Sequence, residues 1–230
     1  MNQTVDILET YLSELDIDQV ISSSEISGGD TLISVPKNFY ARKGLAVTVN
    51  GIDYTIKDVD SNGNIVIDPE VADLRGKILT LQSLFYFHGT PIMQNEEFSY
   101  ISDTQNKSPM LYVIEPISDI SENDPESRID RESTCVICFL DDANFKDWTT
   151  DDYYDEAING MREFAEYFVD QMKNDGKFGL IRNVTYLNRA KFGIYTENKG
   201  AVRNILDEHL SGVEVRLTIP VNKIFNCSYD

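Results

Sequence analysis

Residues 133–172, STCVICFLDDANFKDWTTDDYYDEAINGMREFAEYFVDQM, read as a buried strand, an acidic turn holding the only tryptophan, and a sharply capped amphipathic helix. Thr149 and Asp152 stand in capping-box spacing, so each side chain can satisfy an orphan N–H at the helix start. Beyond the cap, Tyr154, Ile158, Met161, Ala165, Phe168 and Met172 follow at steps of four and three, which places one apolar stripe on one helix face. Gly176 is the expected stop. A helix striped in this way covers a core, and the strand before it supplies part of that core.

Working outward, a first helix is expected over about residues 4–15, where Ile7, Leu8, Tyr11, Leu12 and Leu15 share a face. The texture then turns to short β-rich runs between Thr31 and Phe87: TLISV, LAVTV, IDYTIK, NIVI and KILTLQSLFYF. Asn50-Gly51 and Asn62-Gly63 separate some of them as hairpin turns. Five strands in so short a span predict a small barrel or curled sheet. PMLYVIEPI, STCVICFL, FGLIRNVTYL and GVEVRLTIP read as longer strands, with the capped helix between the second and third. In the last, Val213, Val215, Leu217 and Ile219 alternate with Glu214, Arg216 and Thr218, so one face is buried and the other is wet or meets a partner. A shorter helix is expected over about 200–210 from Val202, Ile205, Leu206 and Leu210. The acidic stretch Ser118–Glu132 is expected to be a long loop, either mobile or ordered by a partner. The expected fold is α+β: a mixed sheet packed by one long and one or two short helices, with an inserted small β-barrel-like domain. The expected divisions are an N-terminal helical segment, 1–24, packing on the C-terminal module; a β-rich domain, 25–94; and an α+β module, 95–230.

The chain of 230 residues carries 39 acidic and 20 basic side chains, a formal charge of -19. Such a field repels phosphate backbones and disfavours wrapping nucleic acid by counterion release. No apolar run reaches the length of a membrane span, and MNQTVDILETY has no basic and apolar leader pattern. Three cysteines do not make a disulfide framework. The expectation is a soluble protein made in a reducing cytoplasm, with no membrane partner.

Several motifs invite chemistry, and each has a plainer reading. Asp58, Asp60, Asn62, Gly63 and Ile65 match the opening of a calcium loop, but position twelve is Pro69 and the flanks are strands, so a hairpin turn accounts for them. Cys135 and Cys138 form C-x-x-C inside a strand, where positions i and i+3 face opposite ways, and of the remaining candidates Cys227, His88 and His209 none is paired at ligand spacing. Buried packing is the expectation for both. Asp141, Asp142 and Asp147 are acids of a turn and a helix start, expected there for backbone reasons. Phe145 and Trp148 anchor the strand-to-helix corner, or make a subunit contact if exposed. No nucleophile elbow, phosphate loop or dinucleotide fingerprint is present, so no catalytic, cofactor-binding or metal-binding residue is expected and the chain is not read as an enzyme.

PMLYVIEPISD (109–119), CVICFLDDANFKDWTTDDYYDEAINGM (135–161) and LSGVEVRLTIPV (210–221) resemble segments of virion structural proteins of tailed bacteriophages, in particular phages of Bacteroidetes hosts. The resemblance spans about residues 90–230 and is to neck and tail-completion proteins of the tail-terminator-like kind. It implies a structural subunit of a homo-oligomeric ring at the head–tail junction, bridging neighbouring portal, neck and tail proteins, with DNA only passing through the channel. Localisation would be the virion, assembled in the host bacterial cytoplasm. The β-rich segment is extra to the module that the resemblance implies. Two other readings stay open: a monomeric adaptor or binding module, and a metal-dependent enzyme using the acidic corner near Asp141. The 118–132 stretch and the polar face of the last strand are the expected contact surfaces.

Overall fold

The computed structural model describes residues 3–68, 70–100, 107–121, 124, 126–196, 202–204, 206 and 209–223. The fold is α+β, mostly strands, and divides into two compact units, Glu14–Ser83 and Met1–Ser13 with Leu84–Asp230.

The smaller unit is one seven-stranded antiparallel sheet. Its strands are β1 (Gln19–Val20), β2 (Ser23–Ser27), β3 (Asp30–Ser34), β4 (Ala46–Val49), β5 (Ile52–Val59), β6 (Ile65–Asp68) and β7 (Ile78–Leu81), in the order β1-β7-β4-β5-β6-β3-β2. The two edge strands are consecutive in the chain. Between them the Ile21 N–H donates to the Lys77 carbonyl and the Ser22 N–H to the Ser34 carbonyl, so one bent segment touches both edges and the sheet curls toward closure. Alternate residues fill the inside: Ile33, Val47, Ile56, Ile65, Ile67, Leu79 and Leu81 are all buried. Asn50 and Gly51 both take positive φ, 50° and 81°, in the two-residue turn that pairs Val49 with Ile52.

The run KILTLQSLFYF, expected as one strand of this unit, serves two sheets. Its first half is β7; its second half is β8 (Phe85–Gly89), which pairs in parallel with a strand of the larger unit. The run contains no Gly or Pro, so nothing in its local chemistry marks the break. The β unit therefore spans 14–83 rather than 25–94, because the segment that joins its edges begins before Ser23 and because β8 belongs to the other sheet.

The larger unit opens with α1 (Thr4–Glu14) and continues after β8 with α2 (Pro91–Tyr100), β9 (Met110–Ser121) and β10 (Ile129–Asp142). The helix α3 follows, built from Thr150–Tyr153, a π turn Tyr154–Ile158 and Asn159–Asn174. Then come β11 (Arg182–Phe192), a small hairpin of β12 (Ile194–Thr196) and β13 (Val202–Asn204), and β14 (Leu210–Asn222). The main sheet has the order β11-β14-β10-β9-β8, and only the β8–β9 pair is parallel. On one face Phe139 of β10 meets Phe164 and Phe168 of α3 edge-on, at ring-centroid distances of 5.9 and 5.4 Å, and Tyr11 of α1 meets Phe168 at 5.4 Å. On the other face Met110, Tyr112, Cys138, Leu140, Phe192, Leu206 and Leu210 pack with Phe98 of α2.

Three local expectations need correction. The acidic stretch 118–132 is strand at both of its ends, in β9 as far as Ser121 and in β10 from Ile129: Ser118 pairs with Thr134 and Ser121 with Arg131. Its Ser and Asp content hid a strand that cross-strand pairing makes. The helix expected at 200–210 is instead β13 over its described part, paired with β12 just after the Gly193 turn at φ 81°. Of the apolar residues at helical spacing there, Leu206 and Leu210 are buried. Finally, Tyr154 lies off the apolar stripe of α3, while Tyr153 is buried. The π turn inserts one extra residue, with the Asn159 N–H donating to the Tyr154 carbonyl, and that shifts the helix face by one position. The rest of the stripe, Ile158, Met161, Ala165, Phe168 and Met172, is buried as its spacing requires.

Candidate interaction surface

The last strand sorts its residues as its alternation demands. Val213, Val215, Leu217 and Ile219 are buried, while Arg216 on the opposite face is exposed. Glu214 departs from the wet-face expectation: it is buried at 5% exposure. The Arg189 Nε donates to its Oε2 at 2.7 Å and the Arg216 Nε to its Oε1 at 2.6 Å. Two charge-assisted bonds offset the cost of removing a carboxylate from water.

Beyond Glu214 no described helix covers this face of the sheet. Thr134 of β10 and Thr218 of β14 join hydroxyls at 3.0 Å, and a shallow cleft of about 350 Å³ opens across three strands. Ile129 and Glu132 line it from β10, Thr218 and Pro220 from β14, and Arg182 and Asn183 from β11, with Leu180 just before that strand. Ile120, opposite Glu132, adds an exposed apolar side chain on β9. The structure thus brings the 118–132 stretch and the polar face of the last strand onto one surface. Ile120 and Leu180, each 68% exposed, were missed from sequence. Leu180 sits in the run FGLIRNV, which reads as core, and only its position at the strand's entrance leaves it in solvent.

The other candidates resolve locally. Thr149 and Asp152 form the capping box: the Thr149 N–H donates to Asp152 at 2.6 Å and the Asp152 N–H to the Thr149 hydroxyl at 3.5 Å. The backbone bond from Thr149 is the main cause that holds the Asp152 carboxyl below its ordinary value. Asp60 accepts the Asn62 and Asn64 N–H groups at 2.8 and 2.9 Å and the Asn64 amide at 2.9 Å, so the calcium-like segment forms the β5–β6 connection with strands on both sides. Pro69 lies outside the described residues.

Cys135 and Cys138 occupy opposite faces of β10, both buried, and Cys138 joins the cluster with Met110 and Tyr112. Burial pushes the Cys135 thiol up to about 12 and raises the Cys138 thiol as well, away from nucleophilic or metal-binding character. Cys227 lies outside the described residues. His88 meets Glu115 at 2.8 Å, whereas His209 stacks on Phe145 at 4.4 Å.

Asp141 is buried at the end of β10 and accepts the Asp142 N–H at 2.8 Å, while Asp147 accepts the Asn144 amide at 2.7 Å inside the following turn. Among the described residues no group of three or more His, Cys, Asp or Glu side chains is placed to hold a metal ion. Phe145 and Trp148 are both half-buried and both touch the ring of buried Tyr153, at 6.1 and 5.4 Å. Lys191 lies over Phe145 and Tyr153 at 5.5 and 5.6 Å, tying the corner to β11.

Fold and surface together define a class: an α+β protein whose principal sheet runs past its helical cover and presents a polar, partly apolar end. Comparison with family models, curated proteins and solved structures gives no match to the chain. No helix among the described residues is long and apolar enough to cross a membrane.

Proposed function

We propose that this chain is a structural ring subunit at the head–tail junction of a tailed bacteriophage, in the neck or tail connector, bridging portal and tail around a channel for DNA. The C-terminal α+β module would be tail-terminator-like and form much of the ring, and the protein would be found in the virion. The observation that carries this reading is the uncovered end of the main sheet, where the β9–β10 arm and the polar face of β14 meet on one surface. It lies within the stretch of about residues 90–230 over which the resemblance to neck proteins runs, and Thr218 and Pro220 of its lining fall in the segment 210–221. A ring needs two unlike surfaces per subunit, and a sheet that outruns its helices supplies exposed strand. The net charge of -19 is compatible with a channel along which DNA slides without sticking.

The test is the particle itself. A virion reconstruction is expected to place the chain in a symmetric ring on the portal–tail axis, and a mass-spectrometric inventory of purified particles to contain it. A chain found only free in infected cells and absent from particles would end this reading.

A further inference from the structure

The main sheet is far longer than the helix on one of its faces. β10 has 14 residues, about 48 Å of strand, whereas α2 has 10, about 15 Å of helix. The Phe98 ring meets Phe85 at 5.9 Å and Phe87 at 6.3 Å, and β8 pairs with Met110–Ile114 of β9. α2 therefore lies over the Met110 half of the sheet. The cleft is on the same face beyond Ile114, because Cys138, Val136, Thr134 and Glu132 alternate along β10 from the Phe98 cluster to the cleft lining. The face is thus a step, with a helix on one half and, on the other, sheet that no described helix covers.

Apolar surface is concentrated on both parts of this step. The four most exposed large apolar side chains among the described residues are Tyr100 and Ile92 of α2, 85% and 73% exposed, and Ile120 and Leu180 at the cleft. Gln94 and Phe98 are the buried side of α2, so Ile92, Met93, Glu96 and Tyr100 form its outer side. Ile92 and Tyr100 stand about 12 Å apart along the helix axis. Leu180 and Ile120 are three strand spacings apart, about 14 Å, since the Gly179 N–H donates to the Pro220 carbonyl and Pro220 and Ile120 both pair with Glu132. One such helix laid across the strands reaches both.

Charge selects the direction of that helix. α2 carries Glu96 and Glu97 in its second half, no charge in its first half and no basic residue. In the cleft Arg182 lies at the Leu180 end and Glu132 beside Ile120. Tyr100 toward Leu180 brings both acids to Arg182, whereas the reverse direction would set them on Glu132. Symmetry then follows from the step. Helix and cleft point the same way from one sheet, so a copy that offers one also offers the other. A two-fold axis between two facing copies, running across the strands, exchanges the two halves and makes both contacts at once. Such a contact is isologous and closes at two copies.

We infer that two copies of this chain dock face to face in the free protein, the outer side of α2 of each lying in the cleft of the other, with Ile92 toward Ile120 and Tyr100 toward Leu180. The inference goes beyond the ring reading and does not depend on it. The twin covers the surface that the ring reading gives to a neighbour, so the pair must part before a ring forms. Within one copy Tyr100 stands past Phe98 at the Met110 end, and Met110 pairs with Leu140. Leu180 stands at the level of Glu132, about 27 Å away along β10. That exceeds the roughly 7 Å a disulfide can span, so any link between 100 and 180 is intermolecular.

The experiment uses the full chain with Cys227→Ser as background, carrying Tyr100→Cys, Leu180→Cys, or both, oxidised and read by non-reducing electrophoresis with peptide mapping. Mixed single variants are expected to give a 100–180 linked dimer, and the double variant a dimer linked twice with no larger species. By light scattering the parent should have the mass of two chains, and Leu180→Asp or Tyr100→Asp half that mass with the helix signal unchanged. Ile52→Asp, at an exposed apolar residue of the smaller unit, should leave the dimer intact. A ladder from the double variant would mean a head-to-tail contact and overturn the two-fold docking. So would links of 100 to 100 or 180 to 180 alone, the absence of any link, or a parent that is monomeric. None of these results bears on presence in the particle, where the ring reading stands or falls separately.

Discussion

Gly212 is a position that tolerates no side chain. Its φ is +156°, and a Cβ built there would lie 2.0 Å from the Phe139 carbonyl oxygen on the neighbouring strand. Gly212→Ala must push β14 away from β10, and the expected loss is about 3 kcal/mol, the upper end of overpacking costs. Chemical denaturation checks it, and a loss under about 0.5 kcal/mol, typical of surface sites, would mean that the strands are spaced differently. The two described cysteines make a second residue-scale prediction. Both are buried with raised thiols, so Cys135 and Cys138 should resist alkylation until the protein unfolds. A Cys135→Ala/Cys138→Ala variant should fold and bind no less metal than the parent. Stoichiometric zinc in the parent that disappears in the variant would reverse the packing interpretation.

The phase of α3 decides the element-scale expectations. Phe168 is fully buried against Phe139 and Tyr11, so Phe168→Ala should cost about 3–5 kcal/mol. Glu166 is exposed and bonds Arg162 at 3.0 Å one turn away, so Glu166→Ala should cost no more than about 0.5 kcal/mol. The π turn adds a sharper contrast between neighbours. Tyr153→Ala should destabilise by several-fold more than Tyr154→Ala, since burial is 3% exposed against 37%. Equal effects in denaturant midpoints at 153 and 154 would place the helix in ordinary α register. The β5–β6 connection gives the complementary expectation: thermal melts with calcium and with chelator should coincide, because Asp60 already spends its oxygens on Asn62 and Asn64.

For the whole molecule the ionisable interior sets an alkaline limit. Burial is the first cause that raises the Tyr11, Tyr86 and Tyr112 hydroxyls above the ordinary tyrosine value, and Tyr186 is pushed up to about 12. A group whose folded pKa is raised binds its proton more tightly in the native state. Its contribution is therefore complete below the unfolded value, about 10 for tyrosine, and is lost as pH rises through the folded one. Stability measured by denaturant should be insensitive to these groups near neutrality and fall above about pH 10, with tyrosine ionisation and loss of helix signal occurring together. Tyrosine absorbance titrating as a single ordinary group, with the fold intact, would contradict the burial of these rings.

Sequence by itself determined what depends on neighbours along the chain. The capping box at Thr149 and Asp152, the stripe of Ile158, Met161, Ala165, Phe168 and Met172, the Asn50-Gly51 turn and the alternation of β14 all follow from spacing, because caps, turns and periodicity are local chemistry. Tertiary structure alone decided where pairing partners come from. It split KILTLQSLFYF between two sheets, made strand of the acidic Ser118–Ser121 and paired Val202–Asn204 with Ile194–Thr196. It also buried Glu214 between Arg189 and Arg216, which the strand's alternation placed in water. Each of these outcomes depends on hydrogen bonds or ion pairs to residues distant in sequence or on another strand. A backbone N–H or a carboxylate is satisfied by whichever group the fold brings within 3 Å, and no local pattern records which group that will be.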